Sequence, residues 1–106
     1  MKTKILISAA NGVIMSSLIK SLKKKFYVIG IDTQIIGQGK NVCNEFYKSP
    51  KGNSNNFIKF IKKLAKKVDF IFLFVDEEIL QIQKNRKKLN SIEKKLILSN
   101  DKTLDT

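Results

Sequence analysis

Histidine is absent from the 106 residues of this sequence, and cysteine occurs only once, at Cys43. Ser–His and Cys–His catalysis are therefore not available to these residues, and no second thiol or imidazole can complete a disulfide or a zinc site with Cys43. No activating base is evident for this cysteine, which argues against a nucleophilic role. We predict a protein of a reducing compartment, the cytoplasm.

Proline and glycine are also scarce, with one and five residues, and no apolar run reaches the length of a membrane-spanning helix. Hydrophobic residues make up 42% and charged residues 28%, a composition typical of globular proteins rather than disordered or fibrous ones. A chain of 106 residues can enclose one modest core. We therefore predict a single domain over residues 1–106 and no association with membranes.

Acidic residues number 9 against 21 basic ones, which gives a formal charge of +12. Such a balance is often associated with nucleic-acid binding. However, Arg86 is the sole arginine, and base readout and bidentate phosphate contacts favour arginine. We interpret the lysines as a compositional bias shared with isoleucine and asparagine, and expect no nucleic-acid partner. The lysines between Lys59 and Lys67 are interpreted as a solvated helix face, with docking of an acidic partner as the alternative.

The amino-terminal stretch sets out a pattern that the rest of the chain repeats. Residues 4–8 form an apolar strand pattern, residues 9–12 a turn of small residues, and a helix is predicted to begin near Val13. Asn11 is expected to cap that helix. The apolar face of the helix is predicted from residues that recur at helical spacing, Ile14, Leu18 and Leu22. A strand that runs through a small-residue turn into a helix is the first half of a βαβ unit.

Four further strand patterns follow, at residues 26–32, 45–48, 69–75 and 94–98. Residues 33–44 show no clear period and are interpreted as a loop with room for one helical turn. The alternation of near-continuous apolar strands with amphipathic helices predicts an α/β fold. We expect a Rossmann-like three-layer sandwich of about five mostly parallel strands, with helices on both faces.

Small polar residues predict where later helices begin. Asn53 or Ser54 is expected to cap the third helix, and Ser99 or Asn100 a last one. That last helix has no body before Thr106. We therefore expect the sequence to be part of a longer protein.

Carboxylates stand at the ends of two predicted strands. Asp32 closes the second strand, and Asp76, Glu77 and Glu78 follow the fourth. The carboxyl ends of parallel strands share one edge of the sheet, where ligands of open α/β sheets bind. The triplet could ligate a metal, act as acid or base, or hold the amino group of a substrate. The structural alternative is that Asp76 caps the next helix and the two glutamates complement its dipole.

The turn after the first strand invites comparison with dinucleotide-binding fingerprints, in which glycines let the backbone approach a pyrophosphate. When the three-glycine pattern is laid on Ala9, Gly12 and Met15, only Gly12 matches, and Met15 would crowd the phosphate. Asp32 follows Gly12 at about 20 residues, the usual distance of a ribose-binding acid. A stand-alone module that binds a nucleotide or dinucleotide is therefore the alternative function.

Five short motifs follow one another along the chain: KILISAA at 4–10, YVIGID at 27–32, FYKSP at 46–50, VDEE at 75–78 and LS at 98–99. In this order and spacing the sequence resembles the N-terminal, pre-ATP-grasp domain of carbamoyl phosphate synthase large subunit-like ATP-grasp proteins. The resemblance covers nearly the whole chain. It implies the substrate-side domain of an ATP-dependent carboxylate–amine ligase, which joins its substrates through an acyl phosphate.

The resemblance also implies where the chemistry takes place. ATP and Mg²⁺ would be held mainly by a C-terminal ATP-grasp module of the same polypeptide, so residues 1–106 are expected to be inactive alone and to bind no cofactor tightly. Residues 99–106 would begin the connection to that module. The sheet edge would face the cleft and help to hold a small-molecule substrate, through Asn11, Gly12, Asp32, Asp76, Glu77 and Glu78. Homodimer formation is left open.

Overall fold

The computed structural model describes residues 2–98, which contain one five-stranded sheet with helices packed against it. The strands are β1 (Thr3–Ile7), β2 (Phe26–Asp32), β3 (Glu45–Lys48), β4 (Phe70–Leu73) and β5 (Leu96–Leu98). Every neighbouring pair is parallel, in the spatial order β3-β2-β1-β4-β5. This arrangement is a Rossmann-like α/β sandwich, which confirms the predicted fold class.

Four α-helices connect the strands within residues 2–98: α1 (Met15–Leu22), α2 (Gln38–Val42), α3 (Asn56–Ala65) and α4 (Asp76–Lys84). Two short 3-10 segments, Arg86–Leu89 and Glu93–Lys95, lead from α4 into β5. None of the helices in this part of the chain is long and apolar enough to cross a bilayer.

β1 occupies the centre of the sheet. It pairs with β2 on one side, where Ile5 lies opposite Val28, and with β4 on the other, where Ile5 lies opposite Phe70. The chain first builds outward through β2 and β3 and then crosses back to β4, so the strand order reverses between β1 and β4. Such a reversal opens a crevice at the carboxyl ends of the strands, which is where the site described below lies.

The two faces of the sheet carry different pairs of helices. We call them the α3 face, where α3 and α4 pack over Leu6, Ile71 and Leu73, and the α1 face, where α1 and α2 lie over Ile5 and Ile7. Right-handed crossovers explain this division. The connections from β1 to β3 run in one direction across the sheet, and those from β3 to β5 run in the other, so their helices fall on opposite faces.

The sequence patterns located the strands well. β2 and β3 have the predicted bounds, whereas β4 and β5 are shorter than the predicted residues 69–75 and 94–98. β5 starts later because Lys94 and Lys95 belong to the second 3-10 segment. The predicted loop at residues 33–44 contains α2, which is little more than one helical turn.

The start and the buried face of α1 were predicted wrongly. The helix begins at Met15 rather than near Val13, because two successive turns use residues 9–14 first: the Gly12 N–H donates to the Ala9 carbonyl at 2.9 Å, and the Met15 N–H to the Gly12 carbonyl at 3.1 Å. The helix consequently buries Met15 and Ile19, whereas the predicted face is half-buried at Leu22, 40% exposed at Leu18 and 79% exposed at Ile14.

The predicted side-chain caps of α1 and α3 are also wrong. Ile14 and Asn55 precede these two helices, and neither makes a side-chain cap. Val75 precedes α4, so Asp76 is not the cap that the structural alternative named. Asp76 is instead the first residue of α4, with Glu77 and Glu78 in the same first turn. Carboxylates in the first turn interact favourably with the positive end of the helix dipole, and the two glutamates occupy the positions that the structural alternative predicted for this role. The predicted cap at residues 99–100 lies outside the described part of the chain.

Candidate functional site

A cavity of about 330 Å³ lies at the carboxyl edge of the sheet, beside the strand-order reversal. Its walls come from the segments that follow four of the strands. Ala9 comes from the segment after β1. Asp32 is the last residue of β2, and Thr33 follows it. Residues 51–53 come after β3, and the segment after β4 supplies Val75, Glu77 and Glu78. The fold therefore gathers residues that are far apart in sequence into one concave surface, as the crevice of an open α/β sheet requires.

Glu78 is the most unusual group of this cavity. Its side chain lines the cavity but is only 4% exposed, and its Oε1 has no hydrogen-bond partner. Burial raises the pKa of this carboxyl to about 7, hydrogen bonding from Ser8 and from the Val75 backbone lowers it, and the nearby Asp32 and Glu77 charges raise it further. An unpartnered, buried carboxyl oxygen is costly, and such groups cluster at functional sites.

A close backbone approach and a hydrogen bond to a side chain hold the start of α4 against the sheet. Gly52 is buried beside α4: a Cβ there would lie 2.7 Å from the Glu78 nitrogen and 2.8 Å from its Cγ. Only a glycine lets the loop after β3 approach so closely. On the other side, the Phe74 N–H donates to the Ser8 Oγ at 2.9 Å, which joins the ends of β4 and β1. Glu78 is thus enclosed between the loops that follow three strands.

Asp32 serves a structural purpose in this edge. Its Oδ2 accepts the Asn11 N–H at 2.9 Å, and its Oδ1 accepts the Gln34 N–H at 3.0 Å. The Asn11 side chain in turn donates to the Gln34 carbonyl and accepts the Lys40 N–H, both at 2.7 Å. Both oxygens of the carboxylate are therefore engaged by the backbone, which weakens the case for a ribose-binding acid.

The amino end of α1 also lacks the features of a pyrophosphate site. Val13 and Ile14, which directly precede α1, are 98% and 79% exposed, so the turn before the helix presents large apolar side chains to solvent. Met15 is buried, and its Cγ would lie 3.2 Å from a Cβ placed on Gly12. The geometry gives the dinucleotide-binding alternative little support.

The structure brings together only some of the predicted site residues. Asp32, Glu77 and Glu78 line the cavity, whereas Asn11, Gly12 and Asp76 are not among its lining residues. Sequence reasoning missed Lys51, which adds a cation to the rim, and Ala9, whose backbone has a φ of +55°. Their positions directly after strand ends were the available signal, since loops at that edge form the crevice.

Other candidate chemistry is weak in the described residues. Within residues 2–98, no group of three or more His, Cys, Asp or Glu side chains could hold a metal ion. Burial raises the pKa of the half-buried Cys43 thiol to about 11, so little thiolate forms at neutral pH.

The lysine face consists of exposed side chains on α3 and directly after its end, Lys59, Lys62, Lys63, Lys66 and Lys67. Four of them line a shallow cavity of about 500 Å³ together with Lys95. The Lys95 Nζ donates to the Ala65 carbonyl at 2.7 Å, and the Lys67 Nζ to the Tyr47 hydroxyl at 2.9 Å. The face is solvated, as predicted, and hydrogen bonds within the chain hold Lys67 of this face and the neighbouring Lys95.

Comparison with protein-family models gives no match to this sequence, and comparison with curated proteins gives none either.

Proposed function

We propose that this chain is the N-terminal, substrate-side domain of an ATP-dependent carboxylate–amine ligase of the ATP-grasp superfamily, similar to the carbamoyl phosphate synthase large subunit. Two lines of support converge on the same edge of the molecule. The first four of the five ordered motifs lie at or directly beyond the carboxyl ends of β1 to β4, and segments that follow these four strands line one cavity. The domain would contribute the wall against which the substrate is held.

The observation that carries the proposal is the buried carboxyl of Glu78. Its Oε1 lacks a partner within the chain although the side chain lines the cavity. Oε1 is shielded from the cavity, so the carboxyl would turn toward a bound ligand, whose N–H donor would then supply the missing hydrogen bond. A protonated amine would also offset the negative charge of Asp32 and Glu77. The amine substrate of a carboxylate–amine ligase has this chemistry.

In this proposal ATP and Mg²⁺ are bound mainly by a C-terminal module of the same polypeptide, and the protein works in the cytoplasm. The fold alone would not assign the activity, because Rossmann-like sheets host many functions. The support therefore comes from the cavity and from the motif order together. Residues 1–106 are expected to release no ADP from ATP by themselves.

The test starts with the mass of the protein made in its own cell. A natural chain that continues for about two further domain lengths would be assayed for ADP release with panels of carboxylates and amines. In that protein, Glu78→Gln should raise the KM for the amine about tenfold, because a charged hydrogen bond to the amine is lost. The matched control is Glu93→Gln, which removes only a surface ion pair with Arg86 and should leave the KM unchanged.

Three results would overturn the proposal: a natural chain that ends at Thr106, ATP turnover by residues 1–106 alone, or an amine KM that Glu78→Gln does not change. Calorimetry of residues 1–106 with NAD(P)(H) and adenine nucleotides distinguishes the ligase domain from the alternative function. Saturable binding of a dinucleotide would favour a stand-alone nucleotide-binding module over the ligase domain.

A further inference from the structure

The α1 face of the sheet is only half covered within residues 2–98. α1 and α2 pack against each other over β1, β2 and β3. Beside α1, a groove of about 400 Å³ runs over β1, β4 and β5, with lining residues that are all apolar. Its main walls are Leu18 and Leu22 from α1, Phe70, Phe72 and Phe74 from β4 and its end, and Ile97 from β5.

Strand alternation explains why three phenylalanines share this groove. Phe70, Phe72 and Phe74 are two residues apart and therefore point to one side of the sheet, while Ile71 and Leu73 point into the core of the α3 face. Phe70 is 42% exposed and Phe74 40%, unusually open for aromatic side chains on a parallel sheet. Parallel sheets are normally covered on both faces by helices. The shape and the chemistry of the groove fit one more helix, lying beside α1.

The groove is too small to hold two copies of the chain together. Leu18, Phe70, Phe74 and Ile97 are each about 40% exposed, which leaves roughly 300 Å² of apolar surface if a whole large side chain offers about 150–250 Å². A stable interface buries about 800 Å² on each partner. Two chains of charge +12 would also repel each other. The occupant is therefore a smaller element of opposite charge.

The charges beside the groove set the second requirement on its occupant. Lys23, Lys24 and Lys25 connect α1 to Phe26, a groove residue, and the Lys2 Nζ donates to the Lys23 carbonyl at 2.7 Å. Four lysines thus lie at one end of the groove. The nearby carboxylate of Asp69 accepts the Lys4 N–H at 2.9 Å and supplies one negative charge against them. An acidic flank on the occupant would complement this end.

We infer that the groove docks an amphipathic helix of a partner polypeptide, with its apolar stripe on Phe70, Phe74 and Ile97 and with acidic residues beside the lysines of residues 23–25. Apolar residues at i, i+3, i+4 and i+7 would form the stripe. This surface is separate from the cavity around Glu78, which lies at the carboxyl edge of the sheet. The inference therefore does not rest on the proposed ligase function.

The test uses a designed, fluorescently labelled helical peptide with a leucine stripe and glutamates on the other positions. An analogue carries the same stripe with lysines in place of the glutamates. Anisotropy titration with residues 1–106 should show the acidic peptide binding at least about tenfold more tightly than the basic one.

Phe74→Glu and Ile97→Glu should each weaken binding of the acidic peptide about tenfold or more. Leu80→Glu is the matched control: Leu80 is 54% exposed on α4, outside the groove, and this change should leave the affinity within about twofold.

Far-UV circular dichroism would first establish that the three variants are folded, and because the altered side chains are 40–54% exposed, folding is expected to survive. The inference fails if the acidic peptide does not bind, if the basic analogue binds equally well, or if the groove variants bind as tightly as the control. Sedimentation of the chain alone tests whether a second copy of the chain occupies the groove. Dimers that Phe74→Glu abolishes would assign the groove to a second copy and overturn the partner helix.

Discussion

The backbone N–H of Asn11 donates to the carboxylate of Asp32 across 2.9 Å and so joins the turn after β1 to the end of β2. Together with the bond from the Gln34 N–H to the same carboxylate, it fixes the direction in which two loops leave the sheet. One wall of the cavity depends on these loops, because Ala9 lies two residues before Asn11 and Thr33 lies between Asp32 and Gln34. The acid at the end of β2 thus shapes the site by holding backbone groups.

Replacing Asp32 with alanine should lower the free energy of unfolding by about 2 kcal/mol. The change leaves the Asn11 and Gln34 N–H groups without their acceptor, and Asn11 is partly buried. Urea unfolding at neutral pH measures the loss. Asp76→Ala is the control, since Asp76 is exposed in the first turn of α4 and contributes only a dipole interaction of about 0.3–1 kcal/mol. Equal losses in the two variants would show that the Asp32 bonds contribute no more than a surface charge.

The carboxyl of Glu78 should make the protein less stable as the pH rises. Its pKa is raised from 4.5 to about 7 on folding, so between these values the folded chain keeps a proton that the unfolded chain releases. No penalty exists below about pH 4.5, and the penalty grows up to pH 7. Above that it stays at about 3–4 kcal/mol, taking about 1.4 kcal/mol for each pH unit. The groups that act on this carboxyl are Asp32, Glu77, the Ser8 hydroxyl and the Val75 backbone, and Lys51 lines the same cavity.

The difference in unfolding free energy between the wild type and Glu78→Gln isolates this effect, because glutamine does not titrate while the other carboxylates are common to both proteins. Urea titrations between pH 4.5 and 8 should show the variant gaining relative to the wild type as the pH rises. A difference that stays constant across this range would contradict a raised pKa for Glu78.

Two buried serines allow a test of the Ser8 hydrogen bond. Ser8 is fully buried and accepts the Phe74 N–H, whereas Ser49 is 4% exposed and its Oγ has no partner. Ser8→Ala should therefore cost about 1–3 kcal/mol, because a backbone donor loses its acceptor. Ser49→Ala should be neutral or slightly stabilising, since it removes an unsatisfied hydroxyl. Thermal unfolding of both variants gives the comparison, and a larger loss for Ser49→Ala would contradict it.

Gly39→Ala should be strongly destabilising. Gly39 is buried in α2, and a Cβ there would overlap the Ala10 carbonyl, a backbone group that cannot turn aside. A loss of about 3 kcal/mol or more is expected from the forced shift of α2. At Gly12 the nearest atoms would lie 3.1 and 3.2 Å away, so Gly12→Ala should cost less than about 1 kcal/mol. Urea unfolding of the two variants measures both effects. Equal losses would contradict the close contact between Gly39 and the Ala10 carbonyl.

The fold class followed from the chain pattern because apolar strands and amphipathic helices alternate, and that alternation leaves few ways to bury both sheet faces. The predicted bounds of β2 and β3 were confirmed for the same reason. The face of α1 was not predictable, since Met15, Leu18, Ile19 and Leu22 allow two overlapping apolar stripes. Which stripe is buried depends on where the preceding turns end, and those turns depend on the loop after β2.

The candidate site, like the fold, was predictable in part from the sequence and was decided in part by the tertiary structure. From the sequence alone, carboxylates at strand ends were predicted to meet at one edge of the sheet, because parallel strands bring their carboxyl ends together. Glu77 and Glu78 are neighbours of the same type, and no pattern distinguished them. Only the tertiary structure exposes Glu77 and buries Glu78, because one step along a helix turns the side chain by about 100°. That rotation directs Glu78 toward Gly52, where the close approach of another loop shields it from water.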